Sequence, residues 1–197
     1  MSEGRERWRQ QESVVFRLER LARATMVVSL VASPASAQEI TIKPVQTIQK
    51  WSVYVYETED RKQCLAASVP QRSRNTRGGK PVSVRRGITQ VAVMFQPKIS
   101  VDGEVSFTGG YPFDPDETVK LTVSGNTFIF YVDGEWSWAA DPEEDRKIHD
   151  AFRRGATAVI TGISARGTKT TDTFSLIGFS KAFEQARKLC SQDSGEI

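Results

Sequence analysis

Residues 156–179, ATAVITGISARGTKTTDTFSLIGF, decide the fold class. Two runs of β-branched and apolar side chains, Ala156 to Ser164 and Asp172 to Phe179, flank a polar cluster of Gly, Lys and Thr, which predicts two strands joined by a turn. Val159, Ile160 and Ile163 on one arm and Phe174, Leu176 and Ile177 on the other need cover from a second sheet or a helix. The hairpin therefore reads as core. Nothing in it specifies a reaction.

Before this hairpin, short strands recur about every ten residues, the spacing of a sandwich or barrel rather than of alternating β and α units. In Trp51 to Glu57, WSVYVYE, the set Trp51, Val53 and Val55 alternates with Ser52, Tyr54 and Tyr56, and the aliphatic set should point inward. A charged turn, 58–62, returns the chain as a second strand, Gln63 to Val69. Ile88 to Phe95, Val101 to Thr108, Thr118 to Val123, Asn126 to Val132 and Glu135 to Ala140 follow, with Ser124-Gly125 as a tight hairpin signal. Two helices interrupt the strands. Asp141 is the N-cap of the first, Pro142 fits its first position, Glu143 and Glu144 suit its dipole, and Gly155 stops it. Its apolar stripe is Ile148, Ala151 and Phe152. Ser180 is the expected cap of the second, whose buried side is Ala182, Phe183, Ala186 and Leu189.

The 197 residues suit one domain preceded by an export segment. Arg17, Arg20 and Arg23 precede a short apolar run from Ala24 to Ala32, then Pro34 and Ala35-Ser36-Ala37. This is the layout of a secretory signal peptide cleaved before Gln38, and the run is too short to span a bilayer. The twenty residues before Leu21 exceed a usual n-region, which fits an upstream start site or a long n-region. The expected organisation is a signal peptide 1–37, a leader 38–49, one β domain 50–190 and a tail 191–197. Removing 1–37, with its six arginines and four glutamates, leaves 21 basic and 20 acidic residues. A near-neutral mature chain gives no global attraction to nucleic acid. Its two cysteines, Cys64 and Cys190, permit one disulfide in an oxidising compartment.

Residues 70–86, PQRSRNTRGGKPVSVRR, carry Arg72, Arg74, Arg77, Lys80, Arg85 and Arg86 without one acidic residue, and Gly78-Gly79 with Pro81 break regular structure. This is the candidate anion- or partner-binding loop. Its bland alternative is a solvated loop balancing the acidic segments near Asp114 and Glu143, and no aromatic residue interleaves to stack on bases. A catalytic nucleophile needs an oriented base, yet His149, the one histidine, lies beside the stripe of a surface helix with no G-x-S-x-G elsewhere. No zinc-ligand spacing exists, and Asp114-Pro115-Asp116-Glu117 lacks the calcium-loop pattern and reads as a solvated turn. The expectation is therefore no catalytic residue, no metal and no cofactor. Trp51, Trp136 and Trp138 could form an aromatic platform for a sugar or lipid, although large aromatics in strands are more often core.

WSVYVYE at 51–57, CLAAS at 64–68, Arg77-Gly78, GYPF at 110–113 and SARGTKTTDTFSLIGF at 164–179 together resemble the invasion-associated locus B family of exported alphaproteobacterial proteins. The resemblance covers essentially the whole mature chain. It implies an immunoglobulin-like antiparallel β-sandwich in the periplasm or at the cell surface, and with the helices above the expected class is all-β with two short helices. It supplies no established catalytic residue. The implied role is binding, with an envelope or host-surface component as partner, peripheral membrane association included, and with an anionic glycan or lipid as the alternative ligand of the basic loop. Many relatives carry W-x-V-x-C in the first strand, where this chain has Val55. Any bridge here must therefore join Cys64 to Cys190.

Overall fold

The computed structural model describes residues 44–58 and 61–191. The expected signal peptide 1–37, the first half of the leader and the tail beyond Ser191 lie outside the described residues. In chain order the strands are β1 (Gln46–Ile48), β2 (Trp51–Glu57), β3 (Lys62–Ser68), β4 (Arg72–Arg77), β5 (Lys80–Pro81), β6 (Gln90–Gln96), β7 (Val101–Thr108), β8 (Val119–Val123), β9 (Asn126–Asp133) and β10 (Trp136–Trp138). Helix α1 (Pro142–Arg154), strands β11 (Thr157–Ile163) and β12 (Lys169–Ser175), and helix α2 (Phe179–Ser191) complete it.

Every pairing is antiparallel, in the order β1-β2-β3-β6-β7-β10-β9-β8-β11-β12-β4-β5. The ribbon folds over where β10 meets β9, so that β1 to β10 of the first half face β9 to β5 of the second. Phe107 on β7 meets Phe174 on β12 at 6.1 Å between ring centroids, and the Trp51 indole N–H donates to the Ser175 carbonyl at 3.0 Å. The result is the expected all-β sandwich with two helices.

The helices close one end of it. Phe183 on α2 packs edge-on against Phe95, Trp51 lies against Phe152 and Phe179, and the Cys64–Cys190 disulfide ties β3 to α2 with Cα atoms 5.6 Å apart. That separation lies within the range a disulfide spans. Asp141 caps α1 by accepting from the backbone N–H groups of Glu143 and Glu144 at 2.8 and 2.9 Å. Such a cap contributes about 1 kcal/mol. At the β8–β9 turn, Ser124 and Gly125 both take positive φ, the backbone a two-residue hairpin requires.

Several expectations change. The leader contributes β1, which pairs with β2. Residues 70–86 are not all loop, because β4 pairs along its length with β12 and turns through Gly78-Gly79 into β5. Charge hid this strand from a reading based on apolar alternation. Strand β12 starts at Lys169 rather than Asp172, since its threonines carry the β-branched preference without the hydrophobicity. Val159 and Ile163 do not join the core face: Ile160 points inward, and the period of two turns its neighbours outward. Ile177 lies beyond the strand and is 57% exposed. Helix α2 begins at Phe179, so Ser180 sits inside its first turn rather than at its cap.

Candidate functional site

The opposite end of the sandwich is polar, and the change of character can be followed across one sheet face. On β11 and β8 the inward residues are Ala158, Ile160, Val119 and Leu121, all buried. One strand further, β12 turns Thr170 and Asp172 inward beside Phe174, and β4 turns Ser73, Asn75 and Arg77 the same way. A carboxylate with no exposed surface is costly unless it is paired and hydrogen-bonded. Arg86 supplies that partner from the extended segment after β5. Its two terminal nitrogens donate to the two Asp172 oxygens at 2.8 and 2.7 Å, and the Ser73 hydroxyl donates to the first of them at 2.6 Å. The Arg86 Nε–H donates to the Gly109 carbonyl at 2.8 Å.

The G-G-Y-P-F turn completes this floor. Gly110 has φ of 72°, and a Cβ there would fall 2.6 Å from the Gly87 backbone, so only glycine lets the two segments meet. The Gly87 N–H donates to the Gly110 carbonyl across that contact. Tyr111 lies under the Arg86 guanidinium, 5.2 Å from ring centroid to carbon, and its hydroxyl is 2.5 Å from that of Thr170. Burial pushes the Tyr111 phenol above its ordinary value, only partly offset by Thr170 and Arg86.

Above the floor opens a cleft of about 500 Å³, lined among others by Arg77, Arg85, Arg86, Tyr111, Glu135 and Arg166. Arg77 donates to the Thr168 hydroxyl at 2.7 Å, which fixes its guanidinium at the wall. Arg85 and Arg166 are exposed, and among the described residues neither forms an ion pair. With Arg86 matched by Asp172, three arginines stand against Glu135, which leaves the cleft electropositive.

Of the six basic residues singled out in the sequence, the structure brings together Arg77, Arg85 and Arg86. Arg72 and Arg74 point to the opposite face of β4, since side chains alternate along a strand, and Lys80 is exposed on β5 away from the cleft lining. Arg86 is not a solvated loop charge: its side chain is 11% exposed and its head is committed to Asp172. Arg166 is the residue that the charge run missed. Its signal was present in the S-A-R-G-T turn, which loops a basic side chain out between two strands.

The other candidates resolve differently. Trp51 is fully buried and separate from Trp136 and Trp138, so the three form no common platform. His149 is 4% exposed, and its Nε2 donates to the Gly103 carbonyl at 2.6 Å while its ring packs on Phe183. Burial holds its pKa below the ordinary value. One turn earlier, buried Asp145 accepts from the Val105 N–H at 2.9 Å, and burial pushes its carboxyl up to about 6. Both groups fasten α1 to β7. Asp114 accepts from the Asp116 N–H, so 114–117 is a self-contained turn.

Among the described residues no helix is long and apolar enough to cross a membrane. No curated protein matches the chain. Among solved structures, the crystal structure of invasion associated protein B from Bartonella henselae is similar, at 18% identity and a TM-score of 0.49, over 73% of this chain and 95% of that one. The family model of the invasion associated locus B (IalB) protein matches residues 110–187, under half of the chain, beginning at the glycine that closes the cleft floor and running into α2. Over that segment the match agrees with the resemblance seen in the sequence.

Proposed function

We propose that this is an exported envelope protein that acts by binding, without catalysis, and that its site is the arginine-lined cleft. The observation that carries the reading is the pair Arg85 and Arg166, exposed on one cleft and unpaired among the described residues, above a floor whose own charges are already matched. An unmatched pair of guanidinium groups with fixed donors beside it suits carboxylate, phosphate or sulfate. The floor supports the site without competing for the ligand, because the Arg86 charge is satisfied by Asp172. The signal-peptide layout of residues 1–37 supports export, and the near-neutral remainder supports a local rather than global attraction for anions.

The test is binding of the purified chain to inorganic polyphosphate, to acidic oligosaccharides and to anionic vesicles over a range of salt. At least one should bind with strong salt dependence, and Arg85→Ser/Arg166→Ser should abolish it with the melting temperature unchanged. Arg72→Ser/Arg74→Ser, on the other face, should bind as the parent does. Equal loss in both double variants, or binding to none of the three probes, would remove the cleft as the site.

A further inference from the structure

The cleft does not end in plain polar surface. Glu135 on its rim is followed directly by Trp136, the first residue of β10, and the side chains of Trp136 and Trp138 leave the outer face of the sheet with ring centroids 6.4 Å apart. On the neighbouring strand Tyr131 stands opposite Trp138 in register, and Ile129 lies two residues before it on the same face. Tyr131 is 59% exposed, Ile129 40% and Trp136 39%. Large side chains on the outer face of a sandwich are not needed for its core, and this group is contiguous with a site of opposite physical character. The strip is also not purely apolar. Asp133 pairs with Trp136 across β9 and β10, Thr108 pairs with it on the other side, and Glu135 precedes it.

We infer that cleft and strip form one extended site for an acidic oligosaccharide of alternating charge, with a charged sugar held by Arg85 and Arg166 and the adjoining neutral sugar laid on Trp136. The inference rests on the reading of the cleft as an anion site and deepens it. Aromatic faces take the C–H faces of sugar rings, while the exposed carboxylates of Asp133 and Glu135 offer acceptors to the ring hydroxyls around them. The same carboxylates argue against an anionic membrane: pressed onto a bilayer, Asp133 and Glu135 would meet like charge and lose water without a partner, whereas a glycan in which acidic and neutral sugars alternate sets a neutral ring beside them. More than one sugar, rather than one acidic monomer, is needed to occupy both cleft and strip.

The experiment compares a hyaluronan hexamer, in which acidic and neutral sugars alternate, with glucuronate monomer, a neutral hexasaccharide, inorganic polyphosphate and phosphatidylglycerol vesicles, using the full chain. The hexamer should bind at least tenfold more tightly than either the monomer or the neutral sugar. Trp136→Ala should weaken the hexamer about tenfold and leave polyphosphate unchanged, and Trp136→Tyr should restore most of the loss. Melting temperatures of both variants establish that they fold. Arg85→Ser/Arg166→Ser should weaken hexamer and polyphosphate together. Polyphosphate binding with no response of the hexamer to Trp136→Ala would overturn the glycan assignment and leave the anion site standing. Vesicle binding tighter than hexamer binding would overturn it in favour of a lipid surface, and binding of no anion at all would remove both readings.

Discussion

The two ends of the sandwich solve one problem with two chemistries. Each must cover sheet surface that the facing layer does not reach. At one end α1 and α2 cover it with Phe152, Phe179 and Phe183 and lock the cover with Cys64–Cys190. At the other, an extended strand-like segment covers it with Arg86 on Asp172. A hydrophobic cover is indifferent to partner geometry but forms a closed plug. A buried ion pair demands complete hydrogen bonding, and the segment that supplies it can leave its next arginine, Arg85, facing solvent. The polar end is thus the one that can also carry a binding site.

The contrast can be broken first at the helix end. The disulfide closes a loop over a sequence separation of 126 residues, and loop entropy assigns it a stabilisation of about 4 to 5 kcal/mol. Reduction, or Cys64→Ser/Cys190→Ser, should lower the melting temperature sharply and increase hydrogen exchange in α2 before the cleft end. A melting temperature indifferent to reductant would show that the apolar cover suffices alone. At the cleft end, Asp172→Asn leaves a buried guanidinium without its counter-charge and should cost about 3 to 5 kcal/mol, in contrast to Arg85→Ser. The double change Arg86→Met/Asp172→Leu should cost far less than Asp172→Asn in the same denaturation experiment, since it removes both desolvated charges together.

Smaller effects come from pH, and they belong to the helix end. His149 has a depressed pKa, so its contribution is present above the ordinary value of 6.5 and is lost as pH falls through the folded value. Asp145 works in the other direction: its folded carboxyl takes a proton near pH 6, and the fold gains relative to the unfolded chain as pH falls from there toward 3.8. Arg153 pushes His149 down while Asp102 and Asp150 push it up, each less than burial does. His149→Gln should therefore flatten the loss of stability on acidification, and Asp145→Asn should steepen it. Identical acid titrations for the parent and both variants would show that neither group governs the docking of α1. The smallest effect is expected from Arg72→Ser/Arg74→Ser, under about 0.5 kcal/mol in urea melts.

Alternation made much of the architecture legible. WSVYVYE reads inward at Trp51 and Val53 as it stands in the structure, and the Asp141-Pro142 start of α1 needed only local capping chemistry. The cysteine pair was legible by count, since Cys64 and Cys190 are the two cysteines of the sequence. The ion pair was not, because Arg86 and Asp172 lie 86 residues apart and neither belongs to a repeating pattern. Alternation also fixes which residues share a face without saying which face is covered. That is why Trp51 and Trp136, both in short aromatic strands, end respectively in the core and on the surface.

Strand β4 pairs with β12, so the partner of Ser73 is Asp172, 99 residues further along the chain. In chain order β4 therefore precedes its partner by almost a hundred residues, and until β12 follows it the pairing edge of β4 is open. Open edges recruit other edges and are a common start of aggregation. Arg72, Arg74 and Arg77 load this waiting strand with repelling charge, and the Gly78-Gly79 turn with Pro81 denies a neighbour a long regular ladder. Like charge on Arg72 and Arg74, which face away from the cleft, opposes pairing between two copies of this edge until β12 covers it.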